Sequence, residues 1–219
     1  MKKITFYYVR HGQTYFNEAR RLQGWCDSPL TAKGIQDARD AKEALKNIPF
    51  TKAYCSSSER CRDTADIILE GRNIPCVSAK NLKEMHFGSF EGCYMPDHLD
   101  VIDPIRFGTY DWTQYGGENT ELLANRIKGY LDEIAEESKD GDTILIVSHG
   151  AVFFQMIYFL FGYSRRVYQE LMFKEPREYR PVPNGFAAIF TYEDGKYELI
   201  ELEKRSKEFL ETLKRTRHI

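Results

Sequence analysis

Short β-rich segments alternate along the chain with segments whose apolar residues recur every three or four positions. Residues 4–9 and 143–147 are apolar on consecutive positions, as expected of strands that are covered on both faces. Two shorter strands are predicted over residues 51–56 and 75–79. Helical periodicity predicts helices over four stretches: residues 30–48, 59–69, 119–138 and 150–161.

The ends of the predicted helices carry residue types that commonly begin or end helices. Thr31 and Asn119 are suited to capping the first and third helices, and Gly71 follows the second. By contrast, residues 84–117 contain five glycines and two prolines. We therefore expect irregular structure there, apart from a short helix near residues 97–102.

The order of the elements predicts the class of fold. The sequence Glu193-Asp194-Gly195 separates β-rich segments at 186–192 and 197–202, which predicts a hairpin at the end of the chain. Strands and helices alternate before this hairpin, the order typical of an α/β fold with a mainly parallel sheet. Because no linker-like change in composition appears, we expect one domain over residues 1–219.

Composition excludes several classes of protein. The 219 residues are 42% hydrophobic and 29% charged, as in ordinary soluble proteins. A formal net charge of −2 does not favour a nucleic-acid partner, so any anion site must be a local cluster of cationic side chains. The apolar run before Arg10 is too short for a signal peptide or a membrane span, so no membrane partner and a cytoplasmic location are expected. The five cysteines form no CxxC pair and are expected to be free thiols.

Two predicted strands end in similar sequences that carry histidine. The first runs into Arg10-His11-Gly12 and the fourth into Ser148-His149-Gly150. In open α/β sheets the ligand crevice lies beyond the carboxyl ends of the strands, so both histidines are expected to face one crevice. A single histidine at a strand end is more often structural, but two in matching positions favour a shared site.

Arginine completes this candidate site. Arg60 lies in the first turn of the helix that follows the second strand, where an anion is favoured, and a guanidinium matches phosphate oxygens. A surface ion pair is the alternative for Arg60 alone. Together Arg10, His11, Arg60 and His149 predict a cationic pocket, and a dianionic phosphate ester, free phosphate or sulfate is the expected occupant.

Several spaced motifs resemble those of the histidine phosphatase superfamily, the phosphoglycerate mutase-like proteins. In chain order they are RHGQT at residues 10–14, Asn17, Gln23-Gly24, DSPLTAKG at 27–34, SSSER at 56–60, Leu82-Lys83-Glu84, Phe87-Gly88, Glu91-Gly92, Gly116-Gly117-Glu118 and Ser148-His149-Gly150. The resemblance spans residues 4 to about 190. It implies a three-layer α/β/α sandwich with an antiparallel hairpin at the edge of the sheet.

The resemblance also implies roles for individual residues, with no metal or other cofactor required. His11 would be the nucleophile and Glu84 the general acid. The phosphate pocket would comprise Arg10, Arg60, His149 and Gly150, with further substrate contacts from Asn17, Gln23 and Gly24. The function implied is hydrolysis of small organic phosphate monoesters through a phosphohistidine on His11.

Two other functions remain open at this point. Cofactor-dependent mutases of the family carry paired arginines after the acid motif, whereas Arg106 is the only arginine between Glu84 and Gly116, which favours the phosphatase branch. A phosphoglycerate-type mutase is the alternative, and a non-catalytic phospho-ligand-binding relative is another. A phosphoprotein substrate and a homodimer also stay open.

Two variable segments, near residues 85–117 and 162–183, are rich in aromatic residues and arginine. We hypothesise that they form a lid that admits an organic leaving group and offers an arginine to a second anion. Their residues are Tyr94, Phe107, Tyr110, Trp112 and Tyr115 in the first, and Tyr163, Arg165, Arg166, Tyr168, Phe173, Arg177, Tyr179 and Arg180 in the second. Core packing or a dimer surface is an equally weighted alternative. The basic tail from Lys204 is expected to pack the apolar side of a helix on the domain.

Overall fold

The computed structural model describes residues 2–173, 184–185, 187–202 and 207–217. Within them, six strands form one sheet in the order β3-β2-β4-β1-β5-β6. The strands are β1 (Lys3–Arg10), β2 (Lys52–Ser56), β3 (Cys76–Ala79), β4 (Thr143–Ser148), β5 (Ala187–Glu193) and β6 (Lys196–Leu202). The first four are parallel to one another, and the β5–β6 hairpin adds antiparallel strands at one edge.

Helices surround this sheet. They are α1 (Tyr15–Glu18), α2 (Ala32–Ala44), α3 (Glu59–Leu69), α4 (Leu99–Phe107), α5 (Thr120–Glu136), α6 (Gly150–Phe159), α7 (Arg165–Phe173) and α8 (Lys207–Lys214). Short 3₁₀ turns lie at Lys80–Leu82, Gly88–Phe90, Met95–His98 and Thr113–Tyr115. None of the helices in the described part of the chain is both long and apolar enough to cross a membrane.

Alternation along the central strand β4 builds a core on each face of the sheet. Ile144 and Ile146 belong to the larger core, with the buried residues of α5 and α6. Leu145 and Val147 belong to the smaller core, with the buried residues of α2 and α3. Successive side chains of a strand point to opposite faces, so a strand buried on both sides reads as a continuous apolar run. The fold is therefore the expected α/β/α sandwich.

The register of the sheet brings the predicted site together. In the parallel pair of β1 and β4, Arg10 lies opposite Ser148, and the His11 N–H donates to Ser148 O at 3.0 Å. The next residues along each strand, His11 and His149, are consequently neighbours. Strand β2 flanks β4 on its other side and leads directly into α3, whose second residue is Arg60.

The predicted helix ends were partly correct. Thr31 and Asn119 cap α2 and α5 by accepting hydrogen bonds from Gly34 N and Leu122 N, and Gly71 takes the left-handed conformation after α3. Helix α2 ends at Ala44, four residues before the predicted end, because Leu45 leads into a turn. The hairpin turn at Asp194-Gly195 has φ values of +47° and +83°, a backbone that glycine and aspartate tolerate well.

One prediction for the variable segments was wrong in detail, and one helix there was not predicted. The short helix lies over Leu99–Phe107 rather than 97–102 and continues through Pro104. Helix α7 was not predicted, because the aromatic and arginine content of that segment hid its periodicity.

The tail does form a helix, and its Phe209 and Leu213 are buried in the larger core as expected. All five cysteines are free, with Cys55 and Cys61 buried and the other three partly exposed.

Candidate active site

His11 follows β1 and is oriented by the backbone. Its Nδ1 lies 2.8 Å from the carbonyl oxygen of Gly12, so Nδ1–H donates and Nε2 keeps its lone pair. The side chain is buried, and burial together with the nearby Arg60 and Arg10 guanidinium groups holds the pKa of His11 well below its usual range. Near neutral pH the imidazole is therefore uncharged, which is the form that can act as a nucleophile.

His149 faces His11 edge-on, with 5.4 Å between the ring centroids. Its Nε2 lies 2.7 Å from Ser56 Oγ, and its Nδ1 accepts from Arg60 at 3.1 Å. Burial, Arg60 and His11 together lower the pKa of His149 well below its usual range. Tyr8 fixes the backbone, because its hydroxyl donates to His149 O and accepts from His149 N.

Arg60 is completely buried, unlike a surface ion pair. Its Nη1 donates to Asp27 Oδ1 at 2.8 Å, and its Nη2 donates to Gly24 O at 2.8 Å. Asp27 also accepts from Glu59 N at the start of α3 through its other oxygen. The Asp27 carboxylate therefore binds both the Arg60 guanidinium and the first backbone N–H of α3. These two contacts fix the guanidinium beside His149.

Arg10 lies across the start of α6, directly over Gly150. A β-carbon at position 150 would lie 3.0 Å from Arg10 Nε and 3.2 Å from Arg10 Cζ, closer than side chains normally approach. Glycine is therefore the residue that permits the guanidinium to lie there. This contact explains why glycine follows His149.

Glu84 is buried at the N-terminus of α6. One carboxylate oxygen accepts from Met85 N and Val152 N at 2.9 and 3.0 Å, and the other accepts from Ala151 N at 3.0 Å. Burial raises the pKa of Glu84, although the backbone N–H groups and the arginines of the pocket oppose this effect. The carboxyl group is therefore easier to protonate near neutral pH than an exposed glutamate.

The glutamate of the Gly116-Gly117-Glu118 motif has a structural position rather than a place in the pocket. Glu118 forms a two-pronged ion pair with Arg126, with bonds of 2.7 and 2.8 Å. Arg126 also donates to the carbonyl oxygens of Asn81, Lys83 and Glu84. The pair holds the segment that carries Glu84 against α5.

The predicted substrate contacts lie beside this pocket, Asn17 in the short helix α1 and Gln23 and Gly24 on the loop that follows it. Thr14 donates to Gln23 Oε1 at 2.6 Å, and the Asn17 side chain accepts from Thr14 N at the start of α1. Gly24 packs so closely on the segment 85–91 that a β-carbon would meet Met85 O at 2.3 Å. All three residues are therefore fixed by neighbouring protein groups.

Three positioning residues were missed by the sequence analysis. Asn184 donates from Nδ2 to His11 O at 2.9 Å and to Asn17 Oδ1 at 3.2 Å. Asp27 orients Arg60, and Ser56 binds the ring of His149. Asp27 and Ser56 lie within the quoted motifs, and that membership was the signal available for them, whereas Asn184 lies in a segment with no periodic pattern.

The aromatic residues of the variable segments divide between core and surface. Tyr110, Trp112, Tyr163 and Tyr168 are buried in the larger core, as the packing alternative anticipated. Phe107 is 53% exposed, and Tyr94 is also exposed. Arg177, Tyr179 and Arg180, together with the side chain of Phe173, lie outside the described residues.

The fold and the site agree on the class of protein. A mainly parallel sheet that gathers an RHG segment, an SHG segment and a buried arginine at neighbouring strand ends defines a phosphoglycerate mutase-like α/β protein. A family model described as the histidine phosphatase superfamily, branch 1, matches residues 6–203. The chain belongs to that superfamily.

Similar proteins carry both phosphatase and mutase names. An adenosylcobalamin/α-ribazole phosphatase of Salmonella typhimurium is 34% identical over 151 residues, which cover 66% of this chain and 73% of that protein. A probable phosphoglycerate mutase of Escherichia coli is 33% identical, over 67% of this chain and 70% of its own. The crystal structure of a phosphoglycerate mutase from Bacillus anthracis superposes with a TM-score of 0.76 at 29% identity, covering 91% of this chain and 92% of that one.

Proposed function

We propose that this protein is a phosphatase that hydrolyses small organic phosphate monoesters through a phosphohistidine on His11. The observation that carries the proposal is the state of His11. It is a buried, neutral imidazole beside two guanidinium groups, and its Nδ1–H is already committed to Gly12 O. That arrangement leaves Nε2 as the nucleophile.

In the first step, His11 Nε2 attacks phosphorus while the ester oxygen leaves. The N–P bond forms, the P–O bond breaks, and Glu84 gives its proton to the departing alkoxide. Arg10, Arg60 and His149 hold the phosphoryl oxygens, whose charge needs fixed positive partners in a loose transition state.

In the second step, water attacks the phosphohistidine. The Glu84 carboxylate takes a proton from the water, the N–P bond breaks, and orthophosphate leaves with the neutral imidazole restored. Burial of Glu84 raises its pKa, which supports the role of the acid, while the N–H groups of α6 stabilise the anion needed in this step. No metal ion takes part in this mechanism.

A phosphoglycerate-type mutase is the second candidate. One protein similar in sequence and one similar solved structure both carry that name. The two activities share the phosphohistidine step and differ in what receives the phosphoryl group. A mutase must retain a bisphosphorylated intermediate, and Arg106 is the only arginine between Glu84 and Gly116. This difference supports hydrolysis.

Two assays on the purified full chain separate these functions. The protein is incubated with p-nitrophenyl phosphate in excess EDTA, and separately with 3-phosphoglycerate plus 2,3-bisphosphoglycerate. The proposal predicts EDTA-resistant release of phosphate that His11→Ala abolishes. Interconversion of phosphoglycerates without net release of phosphate would establish the mutase instead.

A further inference from the structure

Glu91 lies beside the loop that follows α1 and binds the backbone of that loop. Its carboxylate accepts from three successive N–H groups at 3.1, 2.9 and 3.0 Å, those of Gly24, Trp25 and Cys26. A fourth N–H, that of Phe87, donates to it at 3.0 Å. Successive backbone N–H groups that point to one place form a concave site for an anion. Here the anion is a side chain of the protein itself.

Glu91 carries its charge near neutral pH. Burial opposes the charge, but the Cys26 thiol and the backbone N–H groups outweigh this effect, so the pKa of Glu91 lies below its usual value. The carboxylate also approaches the loop closely. A β-carbon on residue 24 would lie 2.3 Å from Glu91 Oε1, so glycine at that position permits the contact. The loop is therefore shaped around this carboxylate.

One peptide unit joins Glu91 to Arg60. The N–H of Trp25 donates to Glu91, and the oxygen of the same peptide unit, Gly24 O, accepts from Arg60 Nη2 at 2.8 Å. In a trans peptide the N–H and the C=O point in opposite directions, so a bond on one side fixes the direction of the other. An anion at the N–H also polarises the unit and strengthens the bond that its oxygen accepts.

Bonds of this kind hold the whole guanidinium of Arg60. Cys26 O and Asp27 Oδ1 accept from Nη1, while Gly24 O and His149 Nδ1 accept from Nη2. These four bonds use four of the five N–H groups of a guanidinium. The fifth, on Nε, is buried and has no hydrogen-bond partner among the described residues. It is the donor left for a phosphoryl oxygen, and its direction depends on the other four.

The geometry points to Glu91 as a positioning residue of the active site, an inference that rests on the proposed phosphatase function. Glu91 acts through Arg60 and not on the substrate. It holds the loop so that the carbonyl oxygens of Gly24 and Cys26 face Arg60, and Arg60 in turn holds the phosphoryl group. Because a misplacement of about 1 Å can cost about a hundredfold in rate, a residue one peptide unit away can control the reaction.

The kinetics of Glu91→Gln test this role. The amide keeps the size of the side chain but removes the charge and turns an NH₂ group toward the N–H groups of the loop. We expect kcat/KM for p-nitrophenyl phosphate and for an alkyl phosphate to fall by the same factor, about ten- to a hundredfold. The inhibition constant of orthophosphate is expected to rise about tenfold, the effect of one charge-assisted hydrogen bond. Glu70→Gln is the matched control, because Glu70 pairs with Lys42 at an exposed position, and its kinetics should not change.

A double-mutant cycle separates positioning from a general structural effect. In an Arg60→Lys background, Glu91→Gln is expected to change kcat/KM by less than about twofold, because the guanidinium that the loop orients is gone. Glu91→Asp is a milder second variant. It keeps the charge but is one methylene group shorter, so it reaches fewer of the N–H groups, and we expect an intermediate loss that also disappears in the Arg60→Lys background.

Three outcomes would overturn the inference. Unchanged kcat/KM and unchanged inhibition by orthophosphate in Glu91→Gln would show that Arg60 is held without Glu91. An equal loss in the Arg60→Lys background would indicate a general structural role, and a loss confined to the alkyl phosphate would indicate an effect through Glu84. Failure of the wild-type protein to hydrolyse any ester would instead contradict the proposed function. Binding of orthophosphate, measured by calorimetry, would then still test the link from Glu91 to Arg60.

Discussion

The carboxylate of Glu84 accepts a hydrogen bond from the backbone N–H of Ala151 at 3.0 Å. The proposed general acid therefore lies at a helix N-terminus, which favours its anion, inside a buried site, which favours its neutral form. Burial is the larger effect, and the pKa of Glu84 is raised. A group held between these two influences can give a proton in one step and accept one in the next.

Replacing the acid tests this role through the leaving group. In Glu84→Gln, hydrolysis of an alkyl phosphate is expected to fall by about 10²–10⁴-fold, because the alkoxide then leaves without a proton. The first step with p-nitrophenyl phosphate, measured as a burst of nitrophenolate, is expected to fall far less, since nitrophenolate is a stable anion. Equal losses for the two leaving groups would contradict the acid role.

Gly150→Ala tests whether the Arg10 contact affects substrate binding without affecting the stability of the folded state. The added methyl group would displace the Arg10 guanidinium, so we expect KM to rise about ten- to a hundredfold, the effect of losing one charge-assisted hydrogen bond. The folded state should not be weakened, because alanine favours helix over glycine.

Gly129→Ala is the control for this substitution. Gly129 lies within α5, and a β-carbon there would have no neighbour within 4 Å. We expect about 0.5–1 kcal/mol of added stability and unchanged kinetics. If Gly150→Ala had the same kinetics as this control, the contact with Arg10 would have no part in substrate binding.

Arg126→Met tests the ion pair between Arg126 and Glu118, which holds the segment that carries Glu84. Loss of the guanidinium leaves Glu118 largely buried without its partner, so we expect the free energy of unfolding to fall by about 3 kcal/mol, measured by urea denaturation. We also expect a larger loss of kcat for alkyl phosphates than for p-nitrophenyl phosphate, because the proposed acid would be misplaced. A uniform loss for both esters would indicate a purely structural role.

The two buried histidines predict a loss of stability in acid. Their pKa values are lower in the folded state than the roughly 6.5 of the unfolded chain, so below that pH the unfolded chain binds more protons. Stability is therefore present above about pH 6.5 and is lost as the pH falls below it. The slope that each histidine contributes is about half of 1.4 kcal/mol per pH unit at pH 6.5 and approaches about 1.4 near pH 5.

The slope is measured by urea denaturation between pH 5 and 6.5. Glu84 acts in the opposite direction in this range, because its folded pKa is raised, so the comparison between variants is more informative than the absolute slope. His149→Asn should reduce the mean wild-type slope over this range by about 1 kcal/mol per pH unit. An unchanged slope would show that His149 is not a neutral buried group.

Much of the fold could be predicted because its strands are buried on both faces. A short, consecutive apolar run such as that of β4 is typical of a strand buried on both faces. The capping residues Thr31 and Asn119 indicate where α2 and α5 begin from the neighbouring sequence alone. The meeting of His11 and His149 also followed from local sequence, since parallel neighbours end at the same edge of the sheet.

Other features depend on contacts that no local pattern contains. Asn184 reaches His11 across more than 170 positions, and Glu118 acts through Arg126 rather than on substrate. The partition of Trp112 into the core and Phe107 onto the surface depends on how α4 packs, which composition does not specify. Aromatic content alone therefore left the lid and core interpretations equally open.

The most direct test of the proposed mechanism is the location of the phosphoryl group during turnover. The wild-type protein is mixed with p-nitrophenyl phosphate, quenched in alkali, which preserves phosphohistidine, and digested for mass spectrometry. The account predicts one phosphoryl group on the peptide that contains His11, at its imidazole. A phosphoryl group on another residue, or turnover with His11 unmodified throughout, would contradict it.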